Sequence, residues 1–241
     1  MSRLVKIQVV SDTICPWCFV GKRRLEKAMA AAAKELRLQF EVTWEPFFLD
    51  PTLPKAGVNK LERYKSKFSE AQVARILPMM AEVGASLEPP VRFSYGGMMG
   101  ATRDSHRLIE FARSKGGPAK QNELVECLFQ AYFENEKSMG DDAVLLECAE
   151  RVGLDRGEAE EALRTDAFGD EVDEAASRWT HEHGITGVPF FRIADGKYEA
   201  SGARDEDYFA GVFRRIAAGM DAAAAKAAPK PGPATAAASA P

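Results

Sequence analysis

Cys15-Pro16-Trp17-Cys18 is the stretch whose residue types and spacing could do chemistry: two thiols separated by two residues, just behind the apolar run Leu4 to Val10. If the residues from Gly21 to Leu36 form a helix, Cys15 lies at its N-terminal boundary and Pro16 takes the first helical position. Proline suits that position, because its fixed φ fits a helix and its missing N–H would be unpaired anyway. A sulfur there faces unpaired backbone N–H groups and the positive end of the helix dipole. Both favour thiolate over thiol, and the thiolate is the nucleophile. Cys18 follows one turn on, on the helix face shared by Gly21, Leu25, Met29 and Ala32, which should point inward. The pattern predicts an exposed attacking sulfur at Cys15 and a covered resolving sulfur at Cys18.

Two other uses of a cysteine pair compete with this one. Zinc needs two more ligands, and no second C-x-x-C or H-x-x-x-H occurs; Cys127 and Cys148 each stand alone in a helical pattern. His181 and His183 are awkwardly spaced for one metal on a helix, so no metal site is expected. A static disulfide across so short a loop would remove little unfolded-chain entropy. Redox chemistry is therefore the strongest reading of a C-x-x-C beside a β-α-β pattern.

The bulk numbers agree. With 241 residues, 46% hydrophobic and 28% charged, the chain can bury a substantial core without staples. A formal net charge of -4 argues against a general nucleic-acid binder. Four cysteines are too few for a disulfide scaffold. No signal-peptide h-region and no apolar run of membrane-spanning length is visible, so a cytoplasmic protein with no membrane partner is expected.

The elements that must position the pair can be read in order. Residues 3–10 read as a buried strand and 16–37 as a helix, with Lys22, Arg23 and Arg24 on its exposed side. Gln39 to Trp44 alternates as a second strand, which a right-handed crossover would pair parallel to the first. From Asn59 to Arg164 the periodicity is helical, with Ser69 and Asp141 as caps. Residues 86–101 form a long loop with exposed-looking Phe93, Tyr95, Met98 and Met99. Asp170 to His183 is a further helix, and Asp195-Gly196 a hairpin turn between a strand after Pro189 and a returning strand. A last amphipathic helix covers Asp205 to Ala218. The expected division is a first β-α-β half at 1–48, an inserted helical domain at 49–166, an α-β-β-α half at 167–220, and a disordered Ala/Pro-rich tail at 221–241.

This order, with C-P-W-C opening the first helix and Val188-Pro189 opening the third strand, resembles a thioredoxin fold (α/β, a mixed four-stranded sheet) with a large inserted all-helical domain, as in DsbA-like oxidoreductases. Ser11 to Glu26 is similar to the FrnE-like branch, as are Ser105 to Ile109, Leu128 to Phe133, Gly184 to Phe191 and Ser201 to Ala203. The resemblance implies that Cys15 attacks and Cys18 resolves. It also implies that Pro189 follows a cis peptide bond, which exposes the Val188 backbone to a substrate strand beside Cys15, Pro16 and Trp17. Residues alone leave cis and trans open. His106 could face the cleft and accept a proton, or serve only as a hydrogen-bonded bundle histidine. Ala101-Thr102, Ser105 and Arg204 depart from the family's residues and are expected to line the cleft.

The implied activity is thiol–disulfide oxidoreduction or isomerisation on thiol- or disulfide-containing proteins or small molecules. No cofactor is needed beyond the cysteine pair, although glutathione could act as co-substrate, and glutathione or a thioredoxin-type reductant as redox partner. Two alternatives remain open. One is a glutathione enzyme of the kappa-class transferase or 2-hydroxychromene-2-carboxylate isomerase kind; the other is a chaperone-like binding module using Phe93, Tyr95, Met98 and Met99.

Overall fold

The computed structural model describes residues 3–227. Strand β1 (Leu4–Ser11) buries alternate side chains and then three in a row, the pattern of a strand covered on both faces. Helix α1 (Pro16–Glu35) follows, and β2 (Gln39–Pro46) returns parallel to β1 with Val9 opposite Trp44. After the helical segment, β5 (Phe190–Ile193) pairs antiparallel with β1, and β6 (Tyr198–Ser201) antiparallel with β5. The sheet order is β2-β1-β5-β6, so the strand carrying the cysteine turn is central. The β5–β6 turn sets Asp195 and Gly196 at positive φ, 56° and 87°, the backbone that an Asp-Gly hairpin favours.

Between β2 and β5 lie two small strands, β3 (Val58–Asn59) and β4 (Met98–Met99), which pair with each other. The helices of this segment are α2 (Lys60–Lys67), α3 (Glu70–Ala85), α4 (Arg103–Phe129), α5 (Asp142–Arg151), α6 (Arg156–Arg164) and α7 (Gly169–Ser177). Ser69 caps α3 in a reciprocal capping box with Gln72, and Asp141 and Asp155 cap α5 and α6. Gly116 and Gly117 interrupt α4 with non-helical dihedrals, which sequence reading takes as a break between two helices. Five-residue π-helical turns extend α4 to Glu134 and α7 to Glu182.

The last helix, α8 (Glu206–Ala227), packs against α1. Phe191 of β5 meets Phe209 of α8 edge-on, their ring centroids 5.0 Å apart. On the other face α4 and α7 pack against β2, where the fully buried Gln121 side chain accepts from the Trp44 N–H and donates to its carbonyl. That amide satisfies backbone groups an edge strand would leave open.

Three expectations change. The helix α8 runs through residues 221–227 of the expected tail, because its alanines are strong helix formers; the rest of that tail lies outside the described residues. Lys22 and Arg23 are buried, not exposed, since α4 supplies Glu126 as their partner. Of the aromatic and methionine residues in 86–101, Phe93 and Met99 are buried, Tyr95 is half-buried and only Met98 is exposed. Phe93 packs edge-on against Phe19 and Phe133, which removes it from any solvent-facing patch.

Candidate active site

The cysteine turn is held by its own backbone. Cys15 is the N-cap of α1 at φ −89° and ψ 111°, with Pro16 beginning the helix. The Cys15 N–H donates to Asp12 O at 3.0 Å, and the Cys18 N–H to Cys15 O at 3.0 Å. Asp12 is fully buried; its carboxylate accepts from Leu49 N at 2.7 Å and Ile14 N at 3.4 Å, tying the turn to the loop after β2. Thr13 bonds Ser105 of α4 at 2.8 Å, and Ser105 in turn donates to Thr102 O.

The two sulfurs have different surroundings. Cys18 is fully buried, on the α1 face that carries Gly21, Leu25 and Ala32 inward. Burial pushes the Cys18 thiol well above its ordinary range, and the neighbouring Cys15 sulfur adds to the shift. Cys15 is only 4% exposed, less than the exposed nucleophile expected from sequence, because the segment at Val188 closes over it. Its Sγ donates to Val188 O at 3.5 Å. The Val188–Pro189 peptide is cis. Gly21 permits this approach: a Cβ there would lie 2.9 Å from Phe191 Cζ and 3.2 Å from Pro189 Cγ.

Cys15 still opens into a cavity of about 400 Å³ that also takes in Pro16, Trp17 and Val188. The far wall is apolar: Tyr64 and Phe68 from α2 and its end, Ile76, Met79 and Met80 from α3, and Met99 from β4. Burial pushes the Tyr64 phenol up, with Tyr95 and the Cys15 sulfur adding, so it stays a neutral hydrogen-bond donor. Asp50, Arg63 and Lys67 complete the lining. Burial opposes charge on Asp50, but Lys67, Thr52 and Arg63 outweigh it and hold the carboxyl well below its ordinary range. Two cations facing one carboxylate leave this side positive. Nothing in the residue types of α2 and α3 marks them as site elements; only their amphipathic pattern was legible.

His106 stands elsewhere. It is buried on α4, edge-on to Phe48, with Nε2 3.7 Å from Asp12 Oδ1. It lines a separate, charged cavity beside β2 with Glu45, Glu110 and Arg178, not the one at Cys15. Ala101 and Thr102 line a small hollow that shares Asp50 with the cysteine cavity, Ser105 bonds Thr13 of the cysteine turn, and Arg204 lies over the Tyr208 ring; none of these four expected cleft residues lines the cysteine cavity itself. Among the described residues no three His, Cys, Asp or Glu side chains come together as a metal site, and no helix is long and apolar enough to cross a membrane.

Comparison with known proteins agrees with this fold. A sequence profile of the DSBA-like thioredoxin domain matches residues 6–214. The chain belongs to the DSBA-like thioredoxin family. It is 30% identical over 201 residues to the uncharacterized protein YwbO of Bacillus subtilis, covering 83% of this chain and 92% of that one. Among solved structures, the probable DsbA oxidoreductase SCO1869 of Streptomyces coelicolor is 32% identical with a TM-score of 0.75, covering 88% of this chain and 89% of that one. The cytosolic disulfide reductase DsbM of Pseudomonas aeruginosa, also solved with GSH, shares the fold at 17% identity and a TM-score of 0.59, covering 92% of this chain and 100% of that one. The mixed sheet with a helical insertion is thus the DsbA-like form of the thioredoxin fold.

Proposed function

We propose that this DSBA-family chain is a thiol–disulfide oxidoreductase working through Cys15 and Cys18 on protein or small-molecule disulfides. The observation that carries the reading is the asymmetry of the pair: Cys15 opens to the cavity beside Val188, and Cys18 lies sealed beneath it.

In the reducing direction the Cys15 thiolate attacks one sulfur of the substrate disulfide. A mixed disulfide forms, the substrate S–S bond breaks, and the leaving sulfur takes the electron pair. Cys18 then loses its proton and attacks Cys15, which closes the internal disulfide and releases the second substrate sulfur as a thiolate. In the oxidising direction a substrate thiolate attacks the closed pair at Cys15 and the same steps run backwards. In this reading the Val188 backbone beside Cys15 pairs with an extended substrate segment. Glutathione fits as co-substrate or reductant, because Arg63 and Lys67 offer positive charge to its carboxylates at the edge of the apolar cavity.

The test is insulin reduction with single-cysteine variants. Cys15→Ser should abolish turnover, and Cys18→Ser should accumulate the mixed disulfide on Cys15. Insulin reduction at the normal rate by Cys15→Ser would remove this reading. Retention of glutathione with no disulfide turnover by the unmodified chain would favour a glutathione enzyme instead.

A further inference from the structure

Two buried titratable side chains take no part in the exchange chemistry above: Asp12, in the segment that leads into Cys15, and His106, at the start of α4. The Asp12 side chain is fully buried, and that of His106 is 4% exposed. A buried carboxylate and a buried ring nitrogen each need a partner. Among the described residues His106 Nε2 makes no hydrogen bond, and His106 is the only basic side chain within 4 Å of the Asp12 carboxylate, with Nε2 3.7 Å from Oδ1. The other carboxylates around the ring are taken or turned to solvent. Glu110 holds both oxygens 2.9 Å from Arg113 Nε. Glu45 accepts from Trp179 Nε1 and Gln8 Nε2, both at 3.2 Å. Glu171 and Glu174 are exposed. We propose that His106 is a positioning residue for Cys15: its Nε2–H is the third donor to the Asp12 carboxylate and fixes the turn from which Cys15 attacks. The inference rests on the oxidoreductase reading above.

The contacts form a closed circuit. Asp12 Oδ2 accepts from Leu49 N at 2.7 Å, Oδ1 from Ile14 N at 3.4 Å, and the Asp12 backbone carbonyl from Cys15 N at 3.0 Å. Phe48, next to Leu49, packs edge-on against the His106 ring with centroids 5.6 Å apart. Ser105, next to His106, bonds Thr13, next to Asp12, at 2.8 Å. Adjacent side chains thus seat the start of α4 on the cysteine turn. The loose member is Oδ1, whose N–H bond is long. Closure of His106 onto it by about 1 Å makes a charge-assisted hydrogen bond. A carboxylate oxygen only accepts, so Nε2 carries the hydrogen. His106 does not line the Cys15 cavity, so it acts through Asp12 and touches no substrate. Cys15 is itself only 4% exposed, which leaves its sulfur a narrow line of attack that a small shift of the turn would spoil.

The experiment follows mixed-disulfide formation between Cys15 and hydroxyethyl disulfide in the full-length Cys18→Ala parent, quenched in acid and read on the Cys15 peptide by mass spectrometry. The small reagent makes no demand on the cavity wall. On this parent His106→Leu should slow the reaction about tenfold. His106→Gln, whose amide N–H can donate in place of Nε2, should recover most of the rate. Asp12→Asn should slow the reaction too, and adding His106→Leu to it should change nothing further. No reaction at Cys15 in the parent overturns the oxidoreductase reading, and the positioning role falls with it. Normal reaction in the parent with an equally fast, folded His106→Leu overturns the positioning role alone. Equal slowing by His106→Gln and His106→Leu, or further slowing in the double variant, also overturns it. Two-bond 1H–15N spectra of the unmodified chain, with His181→Gln and His183→Gln assigning the other two rings, decide the matter where a variant fails to fold. A proton on His106 Nε2 is expected, and a bare Nε2 overturns the proposal.

Discussion

Arg23 of α1 and Glu126 of α4 meet edge to edge, with both guanidinium Nη atoms on the two carboxylate oxygens, one of them at 2.8 Å. Lys22 reaches the same carboxylate at 2.8 Å, and Glu26 closes the cluster by pairing with Lys22 at 2.6 Å. The helix that carries the cysteine pair is thereby clamped to the helical insertion. Burial raises the Glu126 carboxyl, but Arg23 and Lys22 outweigh it and hold it below its ordinary value. Glu126→Gln leaves two buried cations short of a partner and should cost about 3 kcal/mol, the low end for such a break because Glu26 remains. Urea unfolding measures this. A carboxyl depressed in the folded state contributes stability above its unfolded value, and that contribution is lost as pH falls through the folded one. Wild type should therefore lose stability below about pH 4.5 more steeply than Glu126→Gln.

The sealed Cys18 thiol makes resolution the pH-dependent step. Because its pKa lies well above the ordinary range, its thiolate fraction should grow about tenfold per pH unit across neutral and mildly alkaline pH. Stopped-flow decay of a preformed Cys15 mixed disulfide should accelerate accordingly. A pH-independent decay would mean that a neighbouring base takes the Cys18 proton.

Lys60 is buried, and among the described residues no carboxylate pairs with it; its Nζ donates to Tyr132 O at 2.8 Å and lies 3.9 Å from the Tyr132 ring centroid. Burial lowers its pKa from 10.5 to about 8. Between these values the unfolded chain holds a proton the folded chain has shed, so stability should rise with pH across that window, by up to about 3 kcal/mol. Lys60→Met should flatten the rise. Chemical denaturation of both proteins between pH 8 and 9.5 tests it as the difference between them, in which the opposing loss from the buried Cys18 thiol cancels.

Gly21 lets α1 approach Phe191 and Pro189. In Gly21→Ala the new methyl, 2.9 Å from Phe191 Cζ, must push α1 from β5. The expected loss is about 1–3 kcal/mol in denaturant unfolding, the usual cost of overpacking. Insulin reduction should slow as well, since the same shift moves Cys15 from Val188.

The positive side of the cavity should select charge. Lys67 pairs with Asp50 at 2.8 Å and stays partly exposed. Lys67→Glu should slow the reaction with an acidic peptide disulfide about threefold relative to a neutral one, the effect of a partly exposed charge, and added salt should erase the difference. Equal rates for both peptides in both proteins would show that substrates do not reach this side.

Much of the fold was legible because its signals are local. Leu4 to Val10, the C-P-W-C turn, the Ser69-to-Gln72 capping box and Asp195-Gly196 each act over a few residues, where backbone preference and hydrophobic period decide. Helix faces were misread where partners are distant in sequence. Lys22 and Arg23 look like solvated bases until Glu126 arrives from 103 residues beyond Arg23. Phe93 and Met99 look exposed until they pack into the core with Phe19 and Phe133.

By itself, then, the sequence determined the strand–turn–helix that sets two sulfurs one turn apart, because neighbouring residues dictate a helix N-terminus. Tertiary structure alone decided which sulfur meets a cavity and what walls it. The Val188 carbonyl comes to Cys15 from 173 residues away, and Glu126 to Arg23 from 103. Such meetings depend on how sheet and helices pack, and no local pattern encodes them.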